Sequence, residues 1–414
     1  MRNAGFFWIV AFFMILIDLY TFQALKLVSQ EAGSRLRHFI FCTYWGVSVS
    51  AILVFALMPF INFDAWPRVR NYLFATIFGL FLAKLLATLF FLVDDIRRGV
   101  QWVVGKLSFR NTEGVPVNED FVSRSVFFSW VGLGLGGTLF SSLLYGFSNK
   151  YNYNIKRVKL AYDNLPEAFR GLKIVQLSDI HAGSLADKSA VQKGIDKILK
   201  EKPDLILFTG DLVNDRAIEM TEWKDVFGRI KAPMGVYSTL GNHDYGDYVR
   251  WESEEAKRNN LEGVKQLHGQ MGWRLLMNEH VVLEKNGQEI ALIGIENWSA
   301  KARFPKHGKM HQAYPGAEKY PFKILMSHDP SHWDAEVRPH YPDIDLALAG
   351  HTHGMQFGVD LPGIKWSPVQ YVYKQWAGLY EEGRQKLYVN RGFGFIGYPG
   401  RVGVLPEITV IELV

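Results

Sequence analysis

The 414-residue chain is 48% apolar and 14% aromatic, which excludes a disordered chain and leaves room for more than one domain. Its single cysteine, Cys42, excludes a disulfide framework and any cysteine-built metal cluster. The net charge of +5 arises within residues 1–150, which hold 13 Lys+Arg against 8 Asp+Glu; the remainder holds 33 of each, so no nucleic-acid partner is expected.

Four apolar stretches come first in the chain, about Phe6–Val28, Phe39–Ile61, Tyr72–Val93 and Val126–Phe147. Each meets the roughly 20-residue requirement of a membrane-spanning helix. A cleaved signal peptide would be shorter and single. Asp18 interrupts the first span and Lys84 the third, each 12 residues from the start of its span. Unpaired charge is costly inside a bilayer, so the equal depth predicts an intramembrane ion pair between them.

Positive charge in short loops sets orientation. Arg35 and Arg37 follow the first span, and Arg97, Arg98, Lys106, Arg110 and Arg124 follow the third; Arg2, Arg68 and Arg70 lie on the other side. The bias predicts an integral inner-membrane protein with an extracytoplasmic C-terminal domain. The segment Ser123-Arg124-Ser125-Val126-Phe127-Phe128 points the same way, because it resembles a twin-arginine export signal with its second arginine replaced by serine. Between the third and fourth spans, Ile96, Val100, Val103, Val104 and Leu107 recur at helical spacing beside Arg97, Arg98 and Lys106. That pattern predicts a helix lying on the anionic inner surface.

From about residue 155 the pattern changes to short runs rich in Val, Ile and Leu: Leu172–Leu177, Leu205–Phe208, Val236–Leu240, Ile290–Ile295, Ile324–Met326, Leu346–Ala349, Leu387–Val389 and Ile408–Ile411. These read as buried strands, with helical patterns between some of them at Ser189–Glu201 and Trp251–Met271. The alternation predicts an α/β domain with covered sheet faces.

Polar groups able to bind metal follow five of these strands: Ser178-Asp179-Ile180-His181, Thr209-Gly210-Asp211, Gly241-Asn242-His243-Asp244, Ser327-His328-Asp329 and Gly350-His351-Thr352-His353-Gly354. The carboxyl ends of strands are where α/β sheets bind ligands. Residues i and i+2 of an extended segment share a side, so Asp179 with His181, and His351 with His353, are each expected to reach one ion. Gly210, Gly241 and Gly350 permit tight turns close to it. Carboxylate, imidazole and amide without thiolate suit Mn, Fe, Zn or Mg.

This series of motifs resembles the calcineurin-like metallophosphoesterase superfamily, over roughly residues 155–414. The ending Tyr398-Pro399-Gly400-Arg401 through Pro406-Glu407-Ile408-Thr409 is similar to its membrane-linked bacterial branch. The apolar stretches predict a four-span transmembrane domain over residues 1–150, and the resemblance implies that residues 151–414 form a metallophosphoesterase domain, a β-sandwich flanked by helices with a dinuclear metal site. By position, Asp179, His181 and His353 would hold the first metal, Asn242, His328 and His351 the second, and Asp211 would bridge them. His243 would be catalytic, over the substrate phosphate and off the metals. The implied cofactors are two divalent or trivalent ions of Mn, Fe, Zn or Mg, which activate water and clamp phosphate oxygens. One departure stands out: where the protein-phosphatase branch places an Asp behind the catalytic histidine, this chain has Asn214, followed by Asp215.

The implied activity is hydrolysis of a phosphodiester, pyrophosphate or phosphomonoester on a small-molecule or lipid substrate at the membrane. Alternatives are a UDP-diacylglucosamine-type pyrophosphatase and a non-catalytic, metal-dependent binding module. Acyl transfer is disfavoured, because there is no Gly-x-Ser-x-Gly elbow and Cys42 lies in a span. A basic stretch (Lys301, Arg303, Lys306, His307, Lys309, His311, Lys319) and an aromatic one (Trp366, Tyr371, Tyr373, Trp376, Tyr380) are candidates for shaping the substrate site. His268, His280, His332 and His340 match no motif and are expected to be structural or exposed.

Overall fold

The computed structural model describes residues 4–63, 66–108 and 125–414. Arg2, Arg110, Ser123 and Arg124, and with them the core of the export-like segment, lie outside the described residues, as does the side chain of Leu107. The chain divides into two compact units, Met1–Tyr145 and Gly146–Val414.

The first unit holds α1 (Ala4–Val28), α2 (Ser34–Leu57), α3 (Pro67–Ser108) and most of α4 (Val126–Asn149). All four are long and apolar enough to cross a membrane. The separate surface helix expected near residues 96–107 is instead the last part of α3, which runs unbroken for 42 residues. Charge pairs one turn apart support that continuation, with Arg97 Nη2 2.9 Å from Asp94 Oδ1. Helix α4 approaches α3 closely at two glycines: a Cβ on Gly136 would lie 2.6 Å from the Ala83 carbonyl oxygen, and one on Gly132 2.9 Å from that of Ala87.

Asp18 and Lys84 do meet, as an ion pair among α1, α2 and α3. Lys84 Nζ also donates to Ser48 Oγ over 2.7 Å, and Ser48 Oγ donates to Asp18 Oδ1 over 2.8 Å. Tyr44 completes the cluster, donating its hydroxyl to Asp18 Oδ1 over 2.9 Å. Every charge in this apolar setting therefore has partners, which is the condition for tolerating it.

The second unit contains fourteen strands and five α-helices: β1 (Asn154–Leu160), β2 (Lys173–Leu177), α5 (Lys188–Lys200), β3 (Leu205–Phe208), α6 (Lys224–Phe227), β4 (Val236–Ser238), α7 (Glu254–Gln270), β5 (Arg274–Leu275), β6 (Glu279–Lys285), β7 (Gln288–Gly294), α8 (Met310–Ala313), β8 (Lys323–Met326), α9 (Arg338–His340), β9 (Leu346–Ala349), β10 (Val359–Leu361), β11 (Ile364–Trp366), β12 (Gly378–Glu382), β13 (Gln385–Val389) and β14 (Glu407–Leu413). Two six-stranded sheets form, ordered β1-β14-β2-β3-β4-β5 and β12-β13-β9-β8-β7-β6, beside a small β10–β11 hairpin. Strands β2 through β5 are mutually parallel, as are β7, β8, β9 and β13.

The side-chain alternation of each strand builds the layers. Ile174, Leu205, Leu207 and Ile411 of one sheet meet Leu292, Ile324, Met326 and Leu348 of the other in the sandwich interior. The opposite faces carry Val175, Leu177 and Ile206 against Val191, Ile195 and Ile198 of α5, and Ile293, Leu325 and Ala347 against Met310, Trp333 and Val337. The result is two sheets face to face with helices outside each, a sandwich of mixed sheets flanked by helices. Helix α5 forms where Asp187 caps the Ala190 amide over 3.0 Å and Val191, Gly194, Ile195 and Ile198 make one buried stripe. Ser253 caps α7 in the same way, accepting from Ala256 N over 3.0 Å.

Candidate metal centre

The loops after β2, β3, β4, β8 and β9 converge at one edge of the sandwich. Two groups of side chains gather there: Asp179, His181 and His353, and Asp211, His328 and His351. Within each group the ligand atoms lie within 4.8 Å of one another. His353 Nε2 is 3.2 Å from Asp179 Oδ1 and 3.0 Å from His181 Nε2. Asp211 Oδ2 stands between the groups, 3.1 Å from His328 Nε2 and 3.6 Å from His181 Nε2. Asn242 joins the second group through Oδ1, 2.7 Å from His351 Nδ1.

The backbone reason for this convergence differs from the expected one. Asp179 and His181 are not in an extended segment; both lie in the left-handed region, at φ 54° and 48°. Asp211, His351 and His353 do too, at 62°, 70° and 51°. His351 and His353 moreover fall into different groups, so the i, i+2 expectation fails for that pair. Left-handed backbone is unfavourable for these residue types by on the order of 1–3 kcal/mol each and concentrates at functional sites. Tertiary hydrogen bonds hold it: Asp179 N donates to Gly210 O over 2.9 Å, and His181 N to Asp211 O over 3.1 Å. Glycine is required at Gly350, where a Cβ would sit 2.3 Å from Asp179 Oδ2.

Outer partners fix which nitrogens face the site. His328 Nδ1 lies 2.7 Å from the Thr209 carbonyl oxygen, which only accepts, so Nδ1 carries the proton and Nε2 faces Asp211. The Tyr373 hydroxyl donates to Asp329 Oδ2 over 3.2 Å and accepts from His351 Nε2 over 2.9 Å. His351 Nδ1 is then a bare lone pair facing Asn242 Oδ1, itself oriented by the bond from Asn242 Nδ2 to Tyr248 Oη at 2.8 Å. In that tautomer the His351 Nδ1 and Asn242 Oδ1 lone pairs, 2.7 Å apart, form a pair of donors that a cation would draw together. The donor set therefore fits metal binding. Burial opposes charge on His328, but the Asp211 carboxylate prevails and lifts its pKa to about 10. Burial likewise opposes ionisation of Asp211, and His328 more than offsets it, holding this carboxyl well below its usual range.

His243 stands at the mouth, half-buried, its ring 4.9 Å from that of His181 and 4.5 Å from that of Tyr248. Its Nδ1 is 2.7 Å from the Asn214 carbonyl oxygen, so Nδ1 donates and Nε2 is left for other work. The partner behind His243 is thus a main-chain oxygen, which residue type at position 214 does not reveal. Asp244, in the same motif, is turned away and accepts the amides of Asp211 at 2.9 Å, Leu212 at 2.8 Å, Val213 at 3.2 Å and Gly241 at 2.8 Å. It shapes the loop that carries Asp211. Tyr248, Asp329 and Tyr373 are further supports; Asp329 ends the motif of His328 and Tyr373 lies in the aromatic stretch, whereas Tyr248 has no local sequence signal.

The basic stretch does reach the site: the Phe304 ring lies 4.8 Å from that of His351, and Lys301 Nζ 5.3 Å from the Tyr373 ring. Of the aromatic stretch, Tyr373 and Trp376 are buried while Trp366 and Tyr371 are exposed. The unmatched histidines stay apart. His268 is buried, and burial lowers its pKa to about 3; His332 is buried against Ser327 Oγ at 3.0 Å. His280 Nδ1 donates to the Ala313 carbonyl over 2.9 Å, and His340 is exposed.

Comparison with known families agrees with this architecture. Residues 1–150 match the family model described as "Probable Calcineurin-like phosphoesterase, transmembrane domain", and residues 172–355 match "Calcineurin-like phosphoesterase". The chain belongs to the calcineurin-like phosphoesterase family, and its four apolar helices and transmembrane-domain match make it a membrane member of it. It is 31% identical over 263 residues to the transmembrane protein with metallophosphoesterase domain of Danio rerio, covering 62% of this chain and 56% of that protein. The chain thus spans just over half the length of that relative. It is 30% identical to the phosphodiesterase YaeI of Escherichia coli, over 58% of this chain and 82% of that protein. It is 28% identical to the UDP-2,3-diacylglucosamine pyrophosphatase LpxG of Chlamydia trachomatis, over 61% of this chain and 88% of that protein.

Proposed function

We propose that the protein is a membrane-anchored phosphoesterase that hydrolyses a phosphodiester or pyrophosphate, on a lipid-linked or other envelope substrate, in a dinuclear metal site. The observation that carries this reading is Asp211, whose Oδ2 serves both groups at 3.1 and 3.6 Å. In the proposed assignment Asp179, His181 and His353 hold one cation, Asn242, His328 and His351 the other, and Asp211 both. Bound there, the two cations supply Lewis acidity to phosphate oxygens and acidify water. The protein's own work is to hold the Nδ1 proton of His328 on Thr209 and the Nε2 proton of His351 on Tyr373, itself braced by Asp329, so that His328 Nε2 and His351 Nδ1 are the nitrogens turned to the site and a cation bound there would displace any proton from them. His243 keeps its Nδ1 proton on the Asn214 carbonyl and turns Nε2 outward; as the imidazolium it would donate the Nε2 proton to the leaving oxygen and be left as the neutral Nδ1–H form.

The membrane spans and the names of the E. coli and Chlamydia relatives support the substrate class. The loop charges Arg35 and Arg37, with those that follow the third span, support an extracytoplasmic catalytic unit in the inner membrane. The test is metal content and turnover together. Full-length protein stripped by chelator should lose hydrolysis of bis(p-nitrophenyl) phosphate and regain it with Mn, Fe, Zn or Mg. Asp211→Ala should lose both metal and turnover. Retention of two metals and wild-type turnover by that variant would overturn the assignment.

A further inference from the structure

The β10–β11 hairpin is inside out. Its register pairs Val359 with Trp366, Asp360 with Lys365 and Leu361 with Ile364. Side chains alternate across a strand, so Asp360 and Lys365 share one face and the four apolar residues share the other. The charged face is the one turned to the protein. Asp360 lies 3.1 Å from Lys156 Nζ and 3.2 Å from Arg391 Nη2. Lys365 donates to the Ala377 carbonyl and holds its ammonium 4.8 Å from the ring centres of both Trp376 and Tyr380. The apolar face is turned outward, with Leu361 62% and Ile364 61% exposed.

This face continues toward the metal centre. Trp366 Nε1 donates to Tyr371 Oη over 3.4 Å, and the Trp366 ring stands 6.5 Å from that of Phe357. Tyr371 is 78% exposed, and Val372 and Met355 are exposed beside it. Tyr373 and His353, at the site itself, are each within two residues of this surface. An amphipathic hairpin in water turns its apolar face inward, and a contiguous outward patch marks a surface that something covers.

We propose that this face docks on the lipid bilayer, with Leu361 and Ile364 among the acyl chains and Trp366 and Tyr371 at the headgroup level. Three features select lipid as the occupant. The four membrane-spanning helices precede this unit in the same chain, and only residues 150–153 separate α4 from β1, so the tether keeps a bilayer within constant reach. Tryptophan and tyrosine, with an apolar body and a polar edge, are the residues that membrane interfaces favour. The hairpin's own charges lie on the face opposite its apolar residues, Asp360 against Lys156 and Arg391 and Lys365 at the Ala377 carbonyl, so the apolar face can enter a bilayer without carrying them along. A docked hairpin brings the site opening to the depth of lipid phosphates, whichever ester is cleaved.

The test uses full-length protein carrying Cys42→Ser, reconstituted in nanodiscs of phosphatidylcholine and phosphatidylglycerol. An environment-sensitive fluorophore is placed by Ile364→Cys and, as the comparison, by Glu289→Cys on the exposed start of β7. Blue-shifted emission at 364, quenched by headgroup-spin-labelled lipid, with water-like and unquenched emission at 289, is the expected result. Water-like, unquenched emission at 364 overturns the proposal, and so does equal quenching at both positions. A 364–364 disulfide between copies on mild oxidation, with no lipid quenching, overturns it in favour of a second copy on this face.

Discussion

Replacing Tyr373 by phenylalanine tests how the second metal group is held. The hydroxyl accepts the Nε2 proton of His351 over 2.9 Å and passes its own proton to Asp329 over 3.2 Å. Burial, and after it Asp329, raises the pKa of this hydroxyl well above the usual range, so it remains a proton donor. Removing an outer partner of a metal-binding histidine typically weakens metal affinity 10–100-fold, about 1.4–2.7 kcal/mol. Here a reserve acceptor exists, because Asp329 Oδ2 lies 3.4 Å from His351 Nε2. Tyr373→Phe should therefore fall at the low end, roughly tenfold and about 1.4 kcal/mol, and only for the His328–His351 metal. Adding Asp329→Ala removes the reserve and should reach the upper end, about 100-fold. Titration of the stripped, full-length protein against a chromogenic chelator resolves two affinities and shows which one moves. Unchanged affinities in the double variant, or equal weakening of both metals by Tyr373→Phe, would refute the argument that these groups fix the His351 tautomer.

Three further outcomes are expected. His243→Ala should keep both metals and lose roughly 10²–10⁴-fold in kcat, read as metal content beside turnover; metal loss in step with activity would place His243 among the ligands. In a Cys42→Ser background, Ser148→Cys should react with an impermeant thiol reagent in intact cells, whereas labelling only after lysis would reverse the proposed orientation. Asp18→Asn and Lys84→Met should be non-additive in thermal unfolding, coupled by about 0.5–3 kcal/mol, and additivity would leave the observed ion pair without energetic weight.

Much of the centre is legible in the sequence because its signals are local. Each candidate ligand follows a short apolar run, and strands such as Leu205–Phe208 and Leu346–Ala349 lie where the pattern places them, since both their faces are covered. Strand β1 escapes the same reading. Its sequence, Asn-Ile-Lys-Arg-Val-Lys-Leu, looks soluble because it is a sheet edge, and its partner β14 lies at the other end of the chain, with Leu160 opposite Leu413. The β10–β11 hairpin is hidden for the opposite reason: its apolar residues are where a solvent face would be expected to carry charge. The end of α3 is misread as a separate helix because its loop-like charges, Asp94 and Asp95 with Arg97 and Arg98, satisfy one another along a continuing helix.

The grouping of the ligands shows where local reasoning stops. Residue type and order mark Asp179, His181, His351 and His353 as candidate ligands, but their assortment depends on φ angles that no spacing rule supplies. Those angles are set from elsewhere in the chain. His351 N donates to the Asp179 carboxylate at 3.0–3.1 Å, joining two loops 172 residues apart. Asp244 belongs to neither ligand group, yet gathers three successive amides of the Asp211 loop and one from its own. A carboxylate accepting four amides is fully committed to backbone, so it offsets strain in the loop that carries Asp211. The division of labour is physical: carboxylates and imidazoles at the opening supply charge and lone pairs, and one buried carboxylate beneath them supplies the shape.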